Sequence, residues 1–230
     1  VKYGVSFTRD ENGDFVYTRE GAHAHHRILF HEDITGKEIT SHLLNAVKKL
    51  KNVRMYEYTT LLDILCDGSK CCGGIIRWPD GREEQVEADY VILATGGIGG
   101  TYKHSTNFKH LTGDGVEIAR RHNIELKNLD YVQIHPTTLY SDNKEERSFL
   151  ISESVRGEGA MLYDKNMNRF VDELLPRDLL TQEIYKQMEK DGTDFVWEDL
   201  RTIPRDELIS HFPNIIEHCS QAGYDVFHEC

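Results

Sequence analysis

No stretch of this 230-residue sequence holds the roughly 20 consecutive apolar residues that a membrane-spanning helix requires. The start also lacks the apolar core of a signal peptide. Positive charge is short: 27 Lys and Arg stand against 39 Asp and Glu, a net charge of −12 at pH 7. That balance counts against nucleic acid or an anionic membrane as partner, since both call for a basic face. Cysteine is sparse and odd in number, with five residues at Cys66, Cys71, Cys72, Cys219 and Cys230. No disulfide framework fits them, and they read as reduced thiols of a cytoplasmic protein. A bridge between adjacent Cys71 and Cys72 would be badly strained, so idle thiols are expected there. An initiating methionine is missing, and the chain opens on Val1-Lys2-Tyr3 as if cut from something longer. A GxGxxG fingerprint is missing too: Gly97-Ile98-Gly99-Gly100-Thr101-Tyr102 lacks the last glycine. A primary dinucleotide-binding turn is therefore not expected.

What is present suits one large domain or two small ones. Two extended runs flank Asn12-Gly13, a hairpin signal. In EDITGKEITSHLLNAVKKL, Ile39, Leu43, Val47 and Leu50 fall at helical spacing, with Thr35 or Asp33 as the expected cap. VRMYEYTT reads as a strand. The next segment, broken at Asp67-Gly68, Gly73-Gly74 and Pro79-Asp80-Gly81, reads as a small antiparallel meander. Tyr90 to Ala94 is a short apolar run of the kind buried on both faces of a parallel sheet, ending in Thr95-Gly96-Gly97. A helix follows, with Asp114 near its start. The first half is thus an α/β nucleotide-binding layout with an inserted meander. The character changes near Asn128, giving an expected division into 1–127 and 128–230. LDYVQIHPTTLY is extended, Leu180, Ile184 and Met188 share a helix face, and a helical tail is broken at Pro213.

The stretch TREGAHAHHRILFH invites a metal reading, with His23 and His25 on one strand face. No Cys or Asp/Glu ligand set of recognised spacing accompanies them, so no metal is expected. The Gly96-Gly97 pair has two readings, a plain tight turn or a place where a ligand meets bare amides. Asp114 either caps its helix or accepts from a ribose-type hydroxyl. His135, stiffened by Pro136, is either structural or a donor. Ser152-Glu153 and Arg156-Gly157-Glu158-Gly159 cluster a hydroxyl, carboxylates and a guanidinium. Pro176-Arg177-Asp178 opens a helix, with Asp178 suited to cap it and to orient Arg177. Arginine is the side chain for bidentate grip on a carboxylate. Taken together these residues suggest a site for a small dicarboxylate, with His135, Ser152 and Arg177 as donors.

The segments REGAHAHHRILF, ADYVILATGG, TGDGVEIA, QIHPTTLY, LISESVRGEGAMLYD and ELLPRDLLTQEI, in that order, resemble the succinate dehydrogenase / fumarate reductase flavoprotein family over essentially the whole chain. The resemblance implies part of a Rossmann-like FAD-binding domain with an inserted β-meander, followed by an α+β capping domain. It places the GxGxxG strand before Val1 and further segments after Cys230, so the isolated chain is expected to be inactive and not to retain FAD. Thr60, Leu61, Thr95, Gly96, Gly97 and Asp114 would be FAD contacts. His135, Ser152 and Glu153 would bind substrate. Arg177 matches the arginine that gives and takes the substrate proton. Family members acting on plain dicarboxylates carry a glutamine-type residue where aspartate-oxidising members carry glutamate, and here it is Glu20. The implied reaction is oxidation of L-aspartate to iminoaspartate, with oxygen or fumarate reoxidising FAD. That is a first step of NAD synthesis, with quinolinate synthase taking the product. Fumarate reduction or succinate oxidation is the alternative, and a non-catalytic binding fragment is another. The family usually has Gly-Gly after the glutamate, where this chain has Gly21-Ala22.

Overall fold

The computed structural model describes residues 2–141 and 147–229, so Cys230 lies outside the described residues. The chain forms two compact units. Unit 1 takes Val1–Lys49, Gln133–Asp142 and Phe149–Cys230; unit 2 takes Leu50–Val132 and Asn143–Ser148.

Unit 1 begins with a hairpin-like pairing around the Asn12-Gly13 turn, where Arg9 and Phe15 bridge and Gly13 has φ 85°. Two short strands follow, β1 (Tyr17–Thr18) and β2 (Ile28–Leu29), paired antiparallel. The loop between them carries Glu20. Helix α1 spans Thr35–Lys48, as the apolar spacing predicts, yet none of its residues is buried. Neither expected residue caps it: Ile34 is the N-cap and makes no side-chain bond. Asp33 turns instead to a distant helix, and Thr35 Oγ1 accepts from the His31 amide at 3.0 Å.

Unit 2 is built on the expected meander, β3 (Thr60–Asp67), β4 (Lys70–Arg77) and β5 (Glu83–Glu87), antiparallel in sequence order. Helix α2 (Asp114–Arg121) buries Ile118 and Ala119, and Ile64 of β3 is buried as well. Two expected strands do not form. VRMYEYTT is irregular until Thr60, with Tyr58 89% exposed at φ 56°. Tyr90 to Ala94 is extended but unpaired, with Tyr90 and Ile92 about nine-tenths exposed. A strand exists only as a member of a ladder, and none of the described residues supplies these two with a neighbour.

The rest of unit 1 runs through α3 (Glu153–Gly157), β6 (Met161–Tyr163), α4 (Arg177–Asp191), β7 (Trp197–Asp199), α5 (Arg205–His211) and α6 (Pro213–Gln221). Strands β6 and β7 pair antiparallel. Pro213 does not break a helix so much as start one, at the first helical position, where its missing N–H costs nothing. Two apolar clusters hold these elements. Val155, Leu208, Phe212 and Ile215 anchor one; Leu162, Leu180 and Ile184 form the other. Among the described residues no helix is long and apolar enough to cross a membrane.

Candidate functional site

Helix α3 is one and a half turns long and begins with its own cap. Ser152 Oγ accepts from the Ser154 amide at 3.3 Å, satisfying one of the orphan donors of the first turn. That fixes Glu153 at the first helical position, buried to 4% exposure. Arg177 opens α4 directly after Pro176. The two helix starts face each other. Arg177 Nε donates to Glu153 Oε2 at 2.6 Å, and Nη1 donates to Gln133 Oε1 at 2.8 Å. Asp178 does not cap α4 and Arg177 owes its orientation to Glu153 and Gln133: Pro176 is the N-cap, with no side-chain bond.

Glu20 reaches this pair from the β1–β2 loop. Its Oε2 lies 3.9 Å from Arg177 Nη2, and its Oε1 accepts from Ser154 Oγ at 3.3 Å. Two glycines make the approach possible. A Cβ on Gly21 would sit 2.4 Å from Glu153 Oε1, and one on Gly157 would sit 2.0 Å from the Arg19 carbonyl oxygen. A side chain at Gly21 would displace the Glu153 carboxylate, and one at Gly157 would push the backbone of the loop. Ala22 follows with φ 62°, the left-handed conformation a glycine adopts freely, held by its amide donating to the Leu174 carbonyl at 3.1 Å. A cavity of about 240 Å³ opens beside Glu20, lined also by Ser152, Ser154, Glu158 and His211.

Behind this front lies a second layer, in which Arg156 and His135, both noted in the sequence, are joined by Glu198, which was not. Arg156, 2% exposed, donates from Nη1 to Thr137 Oγ1 and from Nε to the Glu173 carbonyl. Its Nη2 stands 3.9 Å from Glu153, and Nη1 stands 3.9 Å from Glu198. Burial pushes the Glu198 carboxyl up to about 7, against the pull of Arg156, and Glu198 Oε1 finds no hydrogen bond. His135 is driven down to about 4, first by burial and then by the Arg156 charge, so its imidazole is neutral at pH 7. Its Nδ1 lies 2.9 Å from the Thr137 carbonyl and 3.3 Å from the Thr137 amide. The two contacts need opposite tautomers. Only the one accepting from the amide leaves Nε2–H free to donate. The signal for much of this was in QIHPT: alternation along an extended segment puts Gln133, His135 and Thr137 on one side. Glu198 gave no such signal.

Unit 2 brings together four of the six expected cofactor residues. The turn Thr95-Gly96-Gly97 packs on the start of α2: a Cβ on Gly115 would lie 2.3 Å from Thr95 Oγ1, and one on Gly113 would lie 2.7 Å from Ile98. Gly96 is at φ 75°, and open space surrounds Gly97. Asp114 is not a cap, since Gly113 holds that position; its exposed carboxylate accepts from Thr112 Oγ1 at 2.8 Å. An exposed hydroxyl, bare glycine amides and a free-facing carboxylate at a helix start form a donor and acceptor set suited to the polar part of FAD. Thr60 and Leu61 sit apart at the start of β3, whose ties to α2 are at that helix's other end, through Arg121 and His122. Of the four histidines in the opening stretch, His23 accepts from Arg27 Nε and His26 contacts the Tyr17 carbonyl. Among the described residues no three His, Cys, Asp or Glu side chains are arranged for a metal.

Residues 1–229 match the FAD binding domain family, and the chain belongs to it. FAD is the cofactor of that family. The chain is 46% identical over 229 residues to the L-aspartate oxidase of Clostridium perfringens, covering all of this chain and 52% of that protein. It is 36% identical over 243 residues to the chloroplastic L-aspartate oxidase 2-b of Nicotiana tabacum, covering 38% of it. It thus spans about half the length, or less, of the curated relatives it matches. Among solved structures, a quinol-fumarate reductase with menaquinol superposes with a TM-score of 0.88 at 28% identity, over 99% of this chain and 43% of that one.

Proposed function

We propose that this chain supplies FAD-binding and substrate-binding parts of an enzyme that oxidises L-aspartate to iminoaspartate, with oxygen or fumarate as electron acceptor. The observation that carries the reading is the Glu20 carboxylate held 3.9 Å from the Arg177 guanidinium. A fixed anion beside a fixed cation complements the ammonium and carboxylate groups of an amino acid. Succinate and fumarate, which lack the ammonium, leave the half-buried Glu20 unanswered beside their own negative charge. FAD, when bound, supplies a two-electron acceptor for the hydride from C2.

The chain's own groups divide the remaining work. Thr95, Gly96, Gly97 and Asp114, with Thr60 and Leu61, hold the cofactor. His135 donates from Nε2 to a substrate carboxylate, in the tautomer that accepts from the Thr137 amide. Ser152 holds α3 in place while offering a hydroxyl, and Glu153 locks Arg177. Arg177 clamps the other carboxylate; a guanidinium is too weak a base to lead the oxidation, and loss of hydride from C2 requires no proton from C3. In this reading residues 1–127 belong to an FAD-binding domain and 128–230 to a capping domain, in a cytoplasmic enzyme. Its unstable product would feed NAD synthesis through quinolinate synthase.

The likeness to a quinol-fumarate reductase favours a second reading, reduction of fumarate at the same Arg–Glu cluster. Glu20→Gln in the FAD-loaded protein separates the two. Loss of a fully engaged charge pair costs about 2–3 kcal/mol, so kcat/KM for L-aspartate should fall about 30- to 100-fold while fumarate reduction holds or rises. Equal activity of the variant toward aspartate would reject the assignment of Glu20.

A further inference from the structure

Unit 2 contains a second reactive cluster, at the hairpin end of β3 where Cys66 lies, the end opposite to Thr60 and Leu61. The two-residue turn Gly68-Ser69 closes the β3–β4 hairpin, with Gly68 at φ 58° where such a turn favours glycine. Asp67 faces Lys70 across the closing pair, and the next pair inward is Cys66 opposite Cys71. A pair one step in from the closing one is of the non-hydrogen-bonded kind, with Cα atoms about 4.5 Å apart. A disulfide spans about 4.4–6.8 Å. The register then slips, setting Leu65 opposite Gly73, so that Cys72 has no counterpart on β3. Sequence adjacency points to Cys71 and Cys72 as the pair; the hairpin register points to Cys66 and Cys71.

A base stands beside this pair. His122, the residue that ends α2, brings Nδ1 to 3.5 Å from Cys66 Sγ, while its Nε2 lies 2.7 Å from Asp63 Oδ1. Asp63 accepts the Nε2 proton, which leaves the lone pair of Nδ1 facing the thiol, as in an activated-nucleophile arrangement. Cys66 is exposed. Partial desolvation of its sulfur, then the nearby Cys71, Cys72 and Asp63, push the thiol above its ordinary range. It needs the base it has.

We propose that Cys66 is a peroxide-reactive thiol which, with His122 as its base, closes a reversible cross-strand disulfide with Cys71. In the first step His122 Nδ1 takes the thiol proton and the sulfur attacks one oxygen of hydrogen peroxide. An S–O bond forms, the O–O bond breaks, and the departing hydroxide takes the proton back from His122 to leave as water. In the second step the Cys71 sulfur attacks the sulfenic sulfur of Cys66. An S–S bond forms, the S–O bond breaks, and hydroxide leaves with the Cys71 proton as a second water. Two thiols give up two electrons and one peroxide receives them. Any flavin oxidase that passes electrons to oxygen makes this oxidant, but the site stands whether or not the protein is one.

The test treats the reduced, folded protein with equimolar hydrogen peroxide and digests it without reductant. Cleavage after Lys70 parts Cys66 from Cys71 and Cys72. Mass spectrometry should find the two peptides joined and two hydrogens lighter, and dithiothreitol should separate them. Cys72→Ser should keep the link. Cys71→Ser should lose it and show a dimedone adduct on Cys66. His122→Gln, which can still hydrogen-bond to Asp63, should slow the oxidation at least about tenfold, an effect that a merely structural histidine would not produce. Absence of the link in the native protein, its loss in Cys72→Ser, or an unchanged rate in His122→Gln would each overturn the proposal.

Discussion

Ala22 shows how much a single backbone angle decides here. The loop that presents Glu20 turns through φ 62° at this alanine, and the left-handed conformation costs an L-residue with a Cβ roughly 1–2 kcal/mol. Glycine pays no such penalty but loses about 0.5–1 kcal/mol through its freer unfolded chain. Ala22→Gly should therefore raise stability by up to about 1 kcal/mol, read as an upward shift of the denaturation midpoint with unchanged slope. A drop would mean that the loop holds Ala22 by contacts that outweigh the turn. The sequence showed this residue only as a departure from a glycine pair. Glu20, Glu153 and Arg177 were legible as a group because each belongs to a distinctive run. Arg156 was noticed in its run but not as the charge behind His135, since only packing reveals that its guanidinium has no exposed surface. Glu198 was invisible: an acid beside Asp199 in a short strand reads as solvated.

At the scale of elements, helices were easier to read than strands or caps. The spacing of Leu180, Ile184 and Met188 matches α4, and the turn residues of the meander match β3, β4 and β5. Caps depend on which side chain arrives from far away, and no local pattern records that. Asp33 is the clearest case. It was expected to cap α1, the helix next to it in sequence. It instead accepts from the Ile215 amide at 2.7 Å and from Asn214 Nδ2 at 2.7 Å, serving the start of α6 from 182 residues away. Removing such a cap costs about 1 kcal/mol. Asp33→Ala should lower stability by about that much and speed amide exchange in Pro213–Gln221 while leaving Thr35–Lys48 unaffected. Faster exchange confined to α1 would contradict this. The strands misread at VRMYEYTT and at Tyr90 to Ala94 failed for the related reason that apolar, β-branched and aromatic residues permit a strand but only a neighbour completes one.

Across the whole molecule, two buried groups set opposing pH trends. His135 titrates near 4 when folded and near 6.5 when unfolded, so the unfolded chain binds more protons between those values and stability rises with pH there. Glu198 behaves oppositely. Its carboxyl holds a proton up to about 7 in the fold and loses it near 4.5 when unfolded, so stability falls as pH rises through that window. Glu198→Gln removes the second trend. The variant's melting temperature relative to the native protein should climb from pH 5 to pH 8; a constant offset would show that Glu198 is ionised throughout.

The measurement that speaks most directly to the proposed chemistry is anaerobic bleaching of oxidised FAD in the loaded enzyme, with L-aspartate and succinate added to separate samples. Aspartate alone should bleach the flavin if Glu20 holds the substrate ammonium, because succinate carries none. Bleaching by succinate and not by aspartate would contradict the reading of Glu20 and leave the dicarboxylate reaction as the function of this cluster.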